Sequence, residues 1–283
     1  MRNNQERLGL SPEEISNDSS AVDQIVQQGN GDISFVCPTE AVELPSKGRY
    51  YPDGHPLHNK DFVEIRHMTA KDEEVLTSKS LLQKGIAIDK MVQGVLVDKN
   101  IKIDDLLISD KNAIVLAARI TGYGPEYRTN VMCPVCDTKT VHEFNLLDIK
   151  LKEEVDNAHL SHLGTFEITL PKTNTKVELK LLTGNDEKAL KMMADKKKKH
   201  NLPESPLMDQ LKTIIVSVNG NSSRQYVEDF VNKMLARHSS FIREEYARLA
   251  PNLDLKQDFE CPTCGSFSRV GIPFTTDFFW PGR

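Results

Sequence analysis

Two short motifs of the form Cys-Pro-x-Cys constrain the fold of this chain more than any other feature. The first occupies residues 133–136 and the second residues 261–264, so more than a hundred residues separate them. Each motif follows a strand-like run, at residues 127–132 and 255–260, and each precedes a polar turn and another strand-like run. This pattern is typical of a zinc knuckle, a turn that supplies two cysteine ligands.

A tetrahedral zinc ion requires four ligands, and one knuckle supplies only two of them. We therefore predict that the two knuckles lie face to face and form a closed, structural zinc site. The predicted ligands are Cys133, Cys136, Cys261 and Cys264. Far fewer residues separate the two pairs of a short zinc ribbon, so residues 137–260 are predicted to contain an insertion that leaves the ribbon and returns to it.

Other uses of the four cysteines stay open at this point: a redox dithiol, an iron–sulfur cluster, or unrelated reduced thiols. A thioredoxin-like dithiol lies between a strand and a helix, whereas residues 137–140 and 265–266 are typical of β-turns. The fifth cysteine, Cys37, has no second cysteine nearby and is predicted to be a small, half-buried residue.

Composition limits the classes of function. The formal net charge of −5 argues against a broad affinity for nucleic acid or for an anionic membrane. No apolar run approaches the length of a membrane span, and no hydrophobic signal core follows the polar N-terminus. We therefore expect synthesis in a reducing cytoplasm and no membrane span.

The predicted fold class is α+β, with a zinc-ribbon-like β core that joins two other regions. Residues 1–31 are predicted to be a polar, flexible N-terminal arm, because apolar residues are sparse there. Residues 32–125 are predicted to form an extended entry followed by a three-helix module. Residues 126–146 and 254–283 form the predicted β core, and residues 147–253 an inserted hairpin and helical region.

Hydrophobic spacing and capping residues predict the individual elements. Thr69 is predicted to cap a first helix that ends near Gly85, with Asp72 at its third position, and Ser109 to cap the third helix. A second helix, with a buried stripe that starts at Ile88, lies between them. Further predictions are strands at 33–36 and 62–66, a hairpin of 165–170 with 176–182, a weak helix at 147–157, and helices at 186–199, 207–218, 224–235 and 241–249.

No pattern in the sequence predicts a catalytic site. The chain has no Walker loop, dinucleotide fingerprint, nucleophile elbow or HExxH motif. The basic run at 196–200 is predicted to be the solvated end of a helix, and His159 and His162 to be polar surface residues. Four aromatic residues crowd the last ten positions, and they are predicted to dock on the chain's own core or, alternatively, on a partner: Phe274, Phe278, Phe279 and Trp280.

Several short motifs together resemble the baseplate hub proteins of T4-like contractile-tailed bacteriophages. They are Leu-Pro-Ser-Lys-Gly at 44–48, Tyr-Pro at 51–52, Gly-Tyr-Gly at 122–124 and the first knuckle that follows directly. The resemblance implies a structural or assembly subunit of the baseplate hub, without catalytic residues. It also implies hub, spike or tape-measure proteins as partners and a place in the virion tail.

Two rival functions remain at the level of the sequence. A zinc-ribbon regulator would bind nucleic acid or a polymerase, and it would need a basic face. A dithiol oxidoreductase would use Cys133 and Cys136, and it would need a lowered thiol pKa and no bound metal.

Overall fold

The structure is a computed structural model, and it describes residues 37–152, 164–272 and 278–279. The predicted arm at 1–31, the strand at 33–36, His159 and His162, and the aromatic residues Phe274 and Trp280 lie outside these ranges. The described chain is a mixture of helices and small antiparallel sheets, as the α+β prediction requires.

The N-terminal region begins with a pair of strands, and a series of helices follows it. Strand β1 (Thr39–Glu43) pairs antiparallel with β2 (Phe62–Arg66), which confirms the strand predicted at 62–66. The helices are α1 (Ala70–Thr77), α2 (Lys79–Lys84), α3 (Ala87–Val95) and α4 (Ile108–Tyr123), with a 3₁₀ turn at Ile103–Asp105.

Three details of this helical region differ from the predictions. The single helix predicted after Thr69 is two, because Ser78 has an extended backbone and the Thr77 hydroxyl donates to the carbonyls of Glu73 and Glu74. The helix stop at Gly85 is confirmed, since Gly85 adopts φ +67 after α2. The buried stripe of α3 does not include Ile88, whose side chain is exposed.

The third difference is the start of α4. Its N-cap is Leu107, and the predicted cap Ser109 lies inside the first turn. The inserted region fixes this start, because the backbone N–H of Ile108 donates to the carbonyl of Leu182 at 3.0 Å and Leu107 forms a β-bridge with Thr183.

The start of α1 follows the prediction closely and includes a buried ion pair. Asp72 accepts from the backbone N–H of Thr69 at 2.9 Å and pairs with both terminal nitrogens of Arg66, at 2.6 and 2.9 Å. Burial alone would raise the pKa of Asp72, but the hydrogen bonds from Arg66 and Thr69 outweigh burial, and the pKa is lowered.

A lowered pKa makes the contribution of Asp72 to stability dependent on pH. The contribution is present above the unfolded-state pKa, near 3.8, and is lost as the pH falls through the lower folded-state pKa. Asp72→Asn is therefore expected to cost about 2 kcal/mol at pH 7 and clearly less at pH 3. Urea unfolding of both proteins at the two pH values measures this difference, and a cost that does not shrink at pH 3 would contradict it.

The loop from 44 to 61 contains the Leu-Pro-Ser-Lys-Gly motif and closes on itself. Gly48 has φ +69, and a Cβ there would lie 2.3 Å from the carbonyl oxygen of Leu57, so no other residue fits without a shift of the backbone. The loop is anchored on Asp110 of α4, which is fully buried and accepts from the Ser46 hydroxyl at 2.6 Å and the Tyr51 hydroxyl at 2.8 Å.

Tyr51 is the central residue of this anchor. Its hydroxyl also accepts from the backbone N–H of Leu107 at 3.1 Å, and burial raises its pKa.

Tyr51→Phe keeps the ring but leaves one buried donor and one buried carboxylate short of a partner, so a loss of about 2–3 kcal/mol is expected in chemical denaturation. Tyr226→Phe, at an exposed position, is the matched control and should be close to neutral. Equal stability of the two variants would contradict this role.

The first of two hairpins follows α4, and it consists of β3 (Glu126–Met132) and β4 (Lys139–Asn145). A short strand β5 (Lys150–Leu151) comes next, and the described part of the weak helix predicted at 147–157 is instead this strand and a 3₁₀ turn at Leu146–Asp148. Residues 150–151 are held extended by pairing with a later strand, which explains the wrong prediction.

Between residues 164 and 250, where the structure describes every residue, the chain forms a three-stranded sheet and four helices. Strands β6 (Thr165–Thr169) and β7 (Lys176–Lys180) form the predicted hairpin. Helix α5 (Gly184–Lys199) and helix α6 (Pro206–Ile214) follow, then strand β8 (Ile215–Val218), helix α7 (Arg224–Lys233) and helix α8 (Ala236–Leu249). The helix predicted at 207–218 is therefore too long, because residues 215–218, three of which are β-branched, form a strand that pairs with β7.

The chain then returns to the β core. Strand β9 (Leu253–Asp254) pairs with β5, and β10 (Lys256–Glu260) with β11 (Phe267–Gly271) forms the second hairpin. The insertion also contacts the N-terminal helices, since the ammonium group of Lys111 lies 2.8 Å from both Asp89 of α3 and Glu187 of α5. The β5–β9 ladder thus brings residues 150–151 and 253–254 together, and Lys111 links α5 to the N-terminal helices.

Candidate metal centre

The two knuckles have the same local geometry. In the first, the N–H of Cys133 donates to the carbonyl of Thr138 at 3.0 Å, and the N–H of Asp137 donates back to the carbonyl of Cys133 at 3.0 Å. In the second, the N–H of Cys261 donates to the carbonyl of Ser266 at 3.0 Å, and the N–H of Gly265 donates to the carbonyl of Cys261 at 2.8 Å. Each turn therefore closes one hairpin and directs two sulfurs to the same side.

The left-handed residue of each turn is at the same position. Asp137 has φ +54 and Gly265 has φ +67, directly after the second cysteine of each pair. Asp and Gly tolerate this conformation better than most residues, so the sequence suits the turn at both sites. The turn predicted at 265–266 is confirmed, whereas the one predicted at 137–140 is too long, because Lys139 and Thr140 already belong to β4.

The structure brings the four predicted ligands together. Their sulfurs all lie within 4.8 Å of one another. The Cys133–Cys264 pair is separated by 3.8 Å and the Cys136–Cys261 pair by 3.7 Å. A tetrahedral ion with metal–sulfur bonds of about 2.3 Å requires sulfurs about 3.8 Å apart, whereas a disulfide requires about 2.05 Å. The arrangement could therefore hold one metal ion.

Aromatic packing links the two hairpins. Phe144 of β4 and Phe259 of β10 are almost completely buried. The ring of His142 lies between the two hairpins, with its centroid 4.6 Å from that of Phe144 and 5.2 Å from that of Phe259. The strands of one hairpin do not pair with those of the other, so side chains and the cysteines join them.

Two hydroxyl groups that were not predicted from the sequence contact the sulfurs. Thr138 Oγ1 lies 3.3 Å from Cys136 Sγ, and Ser266 Oγ lies 3.1 Å from Cys264 Sγ and 3.4 Å from Cys133 Sγ. The Ser266 hydroxyl lowers the pKa of Cys133 to about 6 and also lowers the pKa of Cys264. Both hydroxyl residues follow the second cysteine of their motif by two positions, a matched spacing that could have identified them.

Cys37 and the basic run are not part of the four-cysteine group. Cys37 is half-buried, as predicted. The basic run ends α5, and Lys196, Lys198 and Lys199 are exposed, whereas Lys197 pairs with Asp209 of α6. These positions fit the prediction of a solvated helix end.

The C-terminal aromatic residues that the structure describes dock on the chain's own core. Phe278 and Phe279 are almost completely buried, and the ring of Phe278 packs edge to face on Tyr127 with centroids 5.1 Å apart. Arg119 of α4 is also fully buried, and its Nε donates to the carbonyl of Phe278 at 2.6 Å. The other guanidinium nitrogens donate to the carbonyls of Gly124 and Glu126. Arg119 thus connects the helical region, the start of β3 and the C-terminal segment.

The fold and the site together define an α+β protein whose two hairpins meet at a four-cysteine cluster able to hold one metal ion. The chain belongs to the family of T4 bacteriophage base plate proteins, because the model of that family matches residues 38–280. No curated protein and no solved structure gives a significant match. Family membership assigns the protein a structural role in the phage tail, together with other tail proteins. No described helix is long and apolar enough to span a membrane.

Proposed function

We propose that this protein is a structural or assembly subunit of the baseplate hub, and that one zinc ion bound by Cys133, Cys136, Cys261 and Cys264 stabilises its fold. The observation that carries the zinc proposal is the convergence of four sulfurs at the separations of a tetrahedral site. Four protein ligands leave no open position for water or substrate, so the proposed role of the metal is structural, and we propose no catalytic role for the protein.

The geometry favours zinc over the other uses of cysteine. A redox dithiol needs two sulfurs, whereas here each pair is in contact with the other pair across the two hairpins. An iron–sulfur cluster contains several iron and sulfide ions, and sulfurs within 4.8 Å of one another leave room for a single ion. The lowered pKa of Cys133 suits a metal ligand, which binds as the thiolate, but a redox thiol shares this property, so the positions of the four sulfurs carry the proposal.

The proposed zinc-ribbon-like β core would act as the junction of the molecule. Its first hairpin follows the helical region and its second hairpin follows the insertion, so a metal at the cluster would hold together segments that are distant in sequence. The proposed division at residues 32–125, 126–146 with 254–283, and 147–253 is consistent with the β5–β9 ladder at the base of the insertion.

The hub assignment rests on the family and on the motifs at 44–52 and 122–124. We propose hub, spike or tape-measure proteins as partners and synthesis in the host cytoplasm before incorporation into the tail. A regulator of nucleic acid or polymerase is a weaker candidate, because the net charge is −5 and the basic run lies at one helix end.

The test is an affinity purification of the tagged protein from infected cells, read by quantitative mass spectrometry, with zinc measured on the same eluate. Recovery of hub, spike or tape-measure proteins at fixed ratios would support the proposal. Recovery of polymerase subunits with nucleic acid, or of mixed-disulfide partners without zinc, would contradict it.

A further inference from the structure

An apolar groove of about 630 Å³ lies beside β1. One side of α4 forms its floor, and a short apolar wall near β5 and β9 faces β1 across it. The floor and wall residues are Ala113, Leu116, Ala117, Ile120, Leu151 and Leu253. The floor residues follow the spacing of one helix face, so the groove is lined by a continuous apolar stripe.

Among the residues that the structure describes, the edge of β1 beside the groove has backbone groups without a partner. The N–H of Leu44 donates to the carbonyl of Asp61, and the N–H of His67 donates to the carbonyl of Pro38. Even-numbered residues of β1 therefore direct their N–H and C=O groups at β2, and the odd-numbered residues 39, 41 and 43 direct theirs away from it. Within the described ranges, no strand pairs with this outer edge.

An unpaired edge next to an apolar floor is suited to an extended main chain, which adds a strand and inserts alternate side chains into the groove. We infer that this groove binds an extended segment of another tail protein by strand addition to β1. The choice of a tail protein as the partner rests on the proposed function. The position of the binding site depends only on the geometry of β1 and α4.

The charges on the two rims restrict the segment further. Glu40 and Glu43 lie on the β1 rim, with Lys47 beyond the end of the strand, and Lys150 and Lys152 lie on the opposite rim. A complementary segment has basic side chains beside β1 and acidic side chains beside β5. Pairing with the β1 strand of a second copy would bring four carboxylates into one five-residue ladder, which like-charge repulsion disfavours.

The test uses the full-length zinc-bound protein and an array of synthetic peptides of about fifteen residues that tile the tail proteins of the same phage. Ala41→Pro removes an N–H that makes no bond to β2, and proline is accepted at such an edge. Ala41→Thr keeps the N–H and is the matched control. Peptides with alternating apolar residues and basic flanks are expected to bind the wild type and Ala41→Thr with similar affinity. Their affinity for Ala41→Pro is expected to be at least ~10-fold lower.

A second variant keeps the test decisive if Ala41→Pro lowers the melting temperature. Ala117→Glu places a charge on the groove floor, and Ala194→Glu on the exposed side of α5 is its control.

Equal peptide binding by the wild type and by both groove variants would overturn the inference. Self-association of the wild type that sedimentation detects and that is absent in Ala41→Pro would also overturn the inference. The edge of β1 would then bind a second copy of the chain. Neither result would change the zinc content or the proteins recovered from infected cells, so failure of the inference is distinguishable from failure of the proposed function.

Discussion

Replacing Cys264 with serine is expected to reduce bound zinc from one ion per chain to nearly none and to lower the melting temperature by roughly 10 °C or more. Cys264 is the exposed member of the cluster, so the substitution removes one ligand without creating a cavity in the core. The loss of stability therefore reports on the metal rather than on packing. Differential scanning calorimetry and elemental analysis of the same sample measure the two effects.

Cys37→Ser is the control for this experiment. Cys37 is a half-buried cysteine outside the cluster, and its replacement should leave the zinc content unchanged. A chelator added to the wild-type protein should reproduce the melting curve of Cys264→Ser and have little further effect on that variant. A Cys264→Ser protein that melts like the wild type would contradict a structural metal.

Arg119→Met is expected to destabilise the protein by about 3 kcal/mol or more, because it leaves three backbone carbonyls without their donor in a buried site. Methionine retains much of the volume and the unbranched shape of arginine, so lost hydrogen bonds should dominate the effect. The C-terminal segment should also detach, since Arg119 holds the carbonyl of Phe278. Chemical denaturation measures the first effect.

Chymotrypsin tests the second effect. Phe278 and Phe279 are buried in the native protein, and cleavage after them should be slow in the wild type and faster in Arg119→Met under native conditions. Arg128→Met removes an exposed arginine that pairs with Glu143 on the surface of the first hairpin, and it should change neither measurement much. Equal cleavage of Arg119→Met and Arg128→Met would contradict the role of Arg119.

The cysteine cluster could be predicted from the sequence because each knuckle is encoded locally. The cysteine spacing, the proline and the left-handed residue at 137 or 265 define the turn without reference to distant residues. The start of α1 was predictable for the same reason, since Thr69 and Asp72 are three positions apart and form the cap by themselves. The hairpin of β6 and β7 likewise depends on alternation within one short segment.

The errors occur where distant segments determine the local structure. Residues 215–218 continue a helical pattern but form β8, because β7 offers them a backbone partner. The start of α4 moves to Leu107 because residues 182–183 bind there, and the sequence gives no local sign of that contact. The burial of Arg119 was not foreseen either, since its acceptors are three backbone carbonyls, one of them near the C-terminus. Long-range pairing, rather than propensity, decides these positions.

X-ray absorption spectroscopy at the zinc edge is the most direct test of the central claim. For the protein purified from its natural host, the account predicts one zinc per chain with a single shell of four sulfur ligands at about 2.3 Å. In the Cys264→Ser protein the zinc absorption signal should nearly disappear, as the loss of bound zinc requires. Absence of zinc, or a shell that contains nitrogen or oxygen ligands in the wild-type protein, would contradict a closed four-cysteine site and the structural role that follows from it.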